Sequence, residues 1–171
     1  CTQKNANVTS ERIGFFNDQM RDALKGGVFD GPTAPGYLSG SIVFSPGISY
    51  GIRANTFGRG CNWQALTPEQ CVSYASCHDN NTLYDKLVAI NHGASADYRA
   101  RYTDSIAQNK LSSAITLSSQ GINLFLAGEE MGRTKDGDEN SYSSSPALNQ
   151  IDWSLLKTNA DLVSYYKGML E

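Results

Sequence analysis

The stretch YASCHDNNTLYD, Tyr74 to Asp85, begins as a half-buried strand and runs into His78, Asp79 and Asn80. Three adjacent polar side chains are poor strand formers and costly to bury. Where a strand meets solvent they cost little and reach a ligand. In a sheet of parallel strands joined by helices, the C-terminal strand ends carry the chemistry. The stretch therefore predicts a strand that delivers His78, Asp79 and Asn80 to an exposed edge, followed by a helix.

The flanking sequence supports that frame. Cys71 to Ser76 (CVSYAS) alternates small or apolar with polar residues, as a strand does. Thr67 and Pro68 before it form a helix-start signal. Thr82 to Ile90 reads as a short amphipathic helix ended by Asn91-His92-Gly93, with His92 a helix-end residue without chemistry. Ser95 to Ser119 is the longest helical signal, capped by Ser95 or Asp97. Its apolar positions are Tyr98, Tyr102, Ile106, Leu111, Ala114, Ile115 and Leu117. Ile122 to Ala127 (INLFLA) has the apolar continuity of a fully buried parallel strand. Glu129 and Glu130 follow it, then a polar loop, then a last helix over Asp161 to Leu170. Upstream, Arg12 to Phe16 (RIGFF) predicts the first strand. Asn17 and Asp18 cap a helix that buries Met20, Ala23 and Leu24 and stops at Lys25-Gly26-Gly27. Residues from about 27 to 66 are rich in Gly, Pro and Ser and predict a long loop region.

Strand and helix alternate, so the expected class is α/β with a parallel sheet. Asn17-Asp18, His78-Asp79-Asn80 and Glu129-Glu130 each fall at the C-terminal end of a strand. Neither a GxGxxG after the first strand nor a GxxxxGK[ST] is present, so nucleotide binding has no support. Composition excludes further classes. The 171 residues are 40% hydrophobic and 10% aromatic, enough for one domain with a core. The 14 Lys and Arg against 17 Asp and Glu give a net charge of −3 with no basic run, so no nucleic-acid partner is expected. No apolar run approaches the roughly 18 residues of a membrane helix. Cys1, Cys61, Cys71 and Cys77 lack metal-ligand spacing, and no metal site is expected. Cys71 and Cys77 read as small buried thiols. Cys77 and His78 point to opposite faces of a strand, which disfavours a nucleophile–base pair. The segment CTQKNANVTSE at the start carries no leader signature, and the compartment stays open between secreted or cell-surface and cytoplasmic.

YASCHDNNTLYDK, followed in order by LSSQGINLFLAGEEMGRTKDGDENSYSSSPALNQIDW and preceded by RIGFFNDQMRDALKG, resembles the C-terminal part of the catalytic barrel of type I pullulanases. These are bacterial debranching enzymes of the α-amylase family, glycoside hydrolase family 13. The resemblance runs from about Ile13 to Leu170. It implies an incomplete (β/α)8 barrel, roughly the sixth to eighth βα units with long loops, and an α-glucan substrate: pullulan, starch or glycogen. The chemistry implied is retaining hydrolysis of α-1,6-glucosidic bonds, which needs two carboxyl groups about 5–5.5 Å apart. In the family those sit on the fourth and fifth strands, upstream of this segment, so the chain alone is expected to be inactive. Asp79 matches the family's third carboxylate, a transition-state stabiliser, and His78 its sugar-binding neighbour. Asn80, Asn140 and Tyr142 match substrate-side positions. The chain departs from the family pattern at Leu126, where His is usual, and at Glu129, where Gln is usual. Glu130 is expected as a salt-bridged rim residue. Asn17, Asp18 and Arg21 are expected to be structural. No cofactor is implied, and calcium in a full-length enzyme stays open. The alternatives are a stand-alone carbohydrate-binding module and another α-amylase-family enzyme of isoamylase or branching type. Open strand edges imply self-association or cover by loops.

Overall fold

The computed structural model describes residues 13–57 and 61–171. The expected strand start at Arg12 and the thiol of Cys1 lie outside them. Strand β1 (Phe15–Phe16) leads into helix α1 (Asp18–Lys25), then α2 (Ser45–Ile52), strand β2 (Cys71–Ser73), helices α3 (Leu83–His92) and α4 (Thr103–Leu117), and strand β3 (Ile122–Asn123). Helices α5 (Pro146–Asn149), α6 (Leu155–Thr158) and α7 (Ala160–Leu170) close the order. The three strands are parallel and lie in the order β1-β2-β3, with Phe16 beside Val72 and Val72 beside Ile122. Because all three strands are parallel, every strand exit opens on the same edge. The ladder continues past the strands, with Asn17 N–H on the Val72 carbonyl (2.9 Å) and Leu124 N–H on the Ser73 carbonyl (3.0 Å).

Local chemistry explains the helix starts. The Asn17 side chain accepts the Met20 amide at 3.1 Å, and the Thr82 hydroxyl accepts that of Asp85, also at 3.1 Å. Met20, Ala23 and Leu24 pack with Leu38, Ile48, Ala75, Leu83 and Leu87 in one core cluster. A second cluster joins Tyr84, Val88, Ile106, Leu162 and Tyr166. A third sets Trp63, Ala54 and Ala65 around Cys71 beneath β1.

Several expectations are corrected. The stretch from 27 to 66 is not loop throughout, since it contains α2. Gly47 and Gly51, which read as loop residues, are one turn apart on the face of α2 that meets α1. A Cβ on Gly47 would sit 2.8 Å from the Ala23 Cβ, and one on Gly51 would sit 2.5 Å from Met20. The glycines serve helix–helix approach. Helix α3 is not amphipathic, because residues 81–89 are all buried. The long helix starts at Thr103, eight residues after Ser95. The Tyr84 hydroxyl donates to the Ala100 carbonyl (2.7 Å) and accepts the Tyr102 amide (3.0 Å), which holds the preceding residues in turns. Its buried face is Ser105, Ile106, Asn109, Ser112, Ser113 and Thr116, while Leu111 is exposed. Short side chains permit close contact there, and Ser113 and Thr116 return their hydroxyls to carbonyls of their own helix. Strand β3 covers only Ile122–Asn123, and both residues are exposed. Among the described residues it has a neighbour strand on one side only. Lys25 ends α1, as a buried cation. It is 1% exposed and donates to the Asn81 carbonyl at 3.2 Å.

Leu87 is fully buried. Leu87→Ala should lower the unfolding free energy by about 2–5 kcal/mol in chemical denaturation, the usual cost of an aliphatic core truncation to alanine.

Candidate functional site

The strand exits of β1 and β2 open onto a groove of about 450 Å³. Its lining includes Phe16, Asp18, Arg21, Tyr74, His78 and Asp79. The His78 and Asp79 side chains are 84% and 71% exposed, with Nε2 and Oδ2 3.4 Å apart. Both stand free to meet a ligand. Asn80 follows at φ 63°, in the left-handed region that Asn tolerates better than most residues. It lines this groove and also an adjoining one of about 390 Å³ that contains Asn140. The structure thus brings His78, Asp79 and Asn80 into one groove and joins Asn140 to them through Asn80. Tyr142 is 84% exposed and lines neither groove.

One wall holds a cluster that sequence reasoning missed. The Tyr74 hydroxyl donates to Asp18 Oδ1 at 2.8 Å and accepts from Arg21 Nη1 at 3.0 Å. Arg21 also reaches Asp22 through Nε at 2.7 Å. Phe16 meets the Tyr74 ring edge-on at 5.1 Å between centroids. N-capping explains Asn17, but Asp18 faces the groove. Asp18 and Tyr74 are 56 residues apart in the chain, so no local pattern signals their pairing. Cys71 is buried, whereas Cys77 is only half-buried and lines the groove, which corrects the expectation of a buried thiol.

Glu129 and Glu130 diverge. Glu130 is half-buried and accepts the Gly128 amide at 2.8 Å, a backbone contact where a salt bridge was expected. Glu129 is 4% exposed beneath the site. Its Oε2 accepts the Ser76 hydroxyl in a short hydrogen bond, and its Oε1 lies 3.1 Å from the Tyr166 oxygen. Tyr166 has one proton and two acceptors, since Asn109 Oδ1 lies 2.8 Å away. The Asn109 amide nitrogen is committed to the Glu129 carbonyl at 3.2 Å, which fixes that orientation. Burial pushes the Glu129 carboxyl up to about 7, against the hydrogen bonds from Ser76 and Tyr166. Burial pushes the Lys25 ammonium down to about 8, with Arg21 adding to the shift and Glu129 opposing it. Among the described residues no group of three His, Cys, Asp or Glu side chains is placed to hold a metal ion. No helix among them is long and apolar enough to cross a membrane.

No protein-family model matches the chain. The pullulanase of Bacillus subtilis (strain 168) is 35% identical over 163 residues, covering 92% of this chain and 21% of that protein. The solved pullulanase of Paenibacillus barengoltzii, in complex with maltohexaose and α-cyclodextrin, aligns with a TM-score of 0.83 at 40% identity, over 92% of this chain and 24% of that one. The chain is homologous to a segment of the pullulanases. The likeness reaches the chloroplastic pullulanase 1 of Arabidopsis thaliana, 28% identical over 90% of this chain and 20% of that protein. The chain therefore spans about a fifth to a quarter of the length of these pullulanases. Its small parallel sheet with packed helices is the α/β architecture shared with the solved pullulanase.

Glu129 has a folded value above the ordinary 4.5. Its contribution to stability is therefore complete below pH 4.5 and is lost as pH rises through about 7. Glu129→Gln should remove this component from urea-unfolding free energies measured across that window.

Proposed function

We propose that the chain forms the sixth to eighth βα units of a (β/α)8 catalytic barrel in a debranching hydrolase of the pullulanase type, cleaving α-1,6-glucosidic bonds by retention. On this reading residues 1–171 are one segment of that domain. The observation that carries it is the groove at the shared strand exits, where His78 and Asp79 stand exposed in a segment homologous to pullulanases. The sugar-bound state of the Paenibacillus barengoltzii relative, solved with maltohexaose, supports an α-glucan ligand.

In this mechanism Asp79 accepts hydrogen bonds from sugar hydroxyls. These contacts strengthen as the ring flattens toward an oxocarbenium ion, so they lower the barrier more than they tighten binding. His78 donates to the same sugar ring and, 3.4 Å from Asp79, keeps the carboxylate oriented. Asn80 and Asn140 carry polar contacts into the adjoining groove, and Tyr142 offers an exposed ring for stacking. The nucleophile and the general acid belong to units outside residues 1–171. The carbohydrate-binding-module reading has no separate observation in its favour.

Two outcomes test the proposal. Purified 1–171 should release no reducing sugar from pullulan, and robust cleavage would refute the division of the site. In the enzyme that contains this segment, Asp79→Asn should lower kcat by about a hundredfold or more with little change in KM, the signature of an interaction made in the transition state. A pure KM effect would remove Asp79 from that role.

A further inference from the structure

The His78 and Asp79 side chains are largely exposed and lie 3.4 Å from each other. Their position in the groove is therefore decided by the backbone on either side, which turns sharply at Asn80 with φ 63°. Both feet of this turn are tied to buried groups of opposite charge. On the strand side, Ser76 is fully buried and donates its hydroxyl to Glu129. On the helix side, the Asn81 carbonyl accepts the Lys25 ammonium at 3.2 Å, and the Asn81 side chain donates to the Gly137 carbonyl at 2.9 Å.

The two ties come from different elements. Lys25 is the last residue of α1. Glu129 opens the tight turn after β3, fixed by its amide on the Leu126 carbonyl (2.8 Å) and by Tyr166 of α7 and Asn109 of α4. The Lys25 and Glu129 charges attract one another. A buried ion with so few partners is a costly way to stabilise a fold, because apolar side chains of similar volume would serve as well. Both groups spend hydrogen bonds on the two ends of the same turn. We propose that Lys25 and Glu129 are positioning residues, which hold the His78–Asn80 turn at its two ends through the Asn81 carbonyl and the Ser76 hydroxyl.

Truncating either tie frees one end of the turn, and the left-handed Asn80 relaxes once its surroundings no longer over-determine it. Glu129→Gln is the conservative case. Its amide oxygen accepts from Ser76 and its NH2 donates to Tyr166, so both contacts survive without the charge.

The test is NMR of the folded chain, following the His78 ring and the Asn80 backbone amide in Glu129→Leu, Lys25→Met, Ser76→Ala and Glu129→Gln. Expected is loss or broadening of those signals in the first three, unchanged signals in α2, and recovery of the wild-type spectrum in Glu129→Gln. A general loss of packing would instead move signals throughout. If Glu129→Leu does not fold, Ser76→Ala decides, since it cuts the strand-side tie and leaves the other partners of Glu129 in place. Wild-type turn signals in folded Ser76→Ala and Lys25→Met would overturn the proposal. A second arm, measured in the enzyme that contains this segment, rests on the glucan reading. Maltohexaose affinity should fall about tenfold, some 1.4 kcal/mol, in Ser76→Ala. Turn signals lost in the variants while maltohexaose fails to bind even the wild type would uphold the positioning role and sink the glucan reading.

Discussion

Helix α3 has no solvent face over its first seven residues, Leu83 to Ala89. Leu83 and Leu87 enter the cluster built by α1 and α2, while Tyr84 and Val88 enter the one built by α4 and α7. The two halves of the molecule meet on this helix. A helix surrounded by protein must also satisfy whatever polar groups it carries. Asp85 accepts the Thr134 hydroxyl and the Lys135 amide (2.8 Å), and Lys86 donates to the Gly31 carbonyl. These bonds draw the loop after β3 and the segment after α1 onto the same helix.

The candidate site inherits its order from that arrangement. The His78–Asn80 turn lies between β2 and the Thr82 cap of α3, so the helix sets where the turn ends. The Asn81 side chain bonds the Gly137 carbonyl, and Lys135 donates to Ser141 at 2.6 Å, which carries the restraint toward Asn140. Exposed groups that meet a ligand thus stand on a buried polar layer of Lys25, Asp85 and Glu129. Each member of that layer titrates away from its ordinary range because burial opposes its charge.

Much of the local structure was legible. Asn17 and Thr82 are good caps by side-chain chemistry, and both cap helices here. The alternation of strand and helix pointed to a parallel sheet, and the polar run His78-Asp79-Asn80 emerges at its exposed edge. Where the reading failed, tertiary contacts outweighed local preference. Tyr84 takes the backbone groups of Ala100 and Tyr102, so the helix begins at Thr103. Gly47 and Gly51 look like loop punctuation until their packing against Ala23 and Met20 is seen. The apolar run Ile122 to Ala127 promised a buried strand, yet burial on both sides requires neighbours that lie far away in sequence.

By itself the sequence determined the α/β class, the caps, the strand exit carrying His78 and Asp79, and the kinship with pullulanases, because these rest on residue type and short spacing. Only the tertiary structure decided that Lys25 and Glu129 lie buried beneath the turn, that Tyr74 joins Asp18 and Arg21 in the groove wall, and that α3 is enclosed. Those facts depend on pairs such as Asp18 and Tyr74, 56 residues apart. Burial and charge pairing at that separation are properties of the packed chain, and no window of sequence contains both partners.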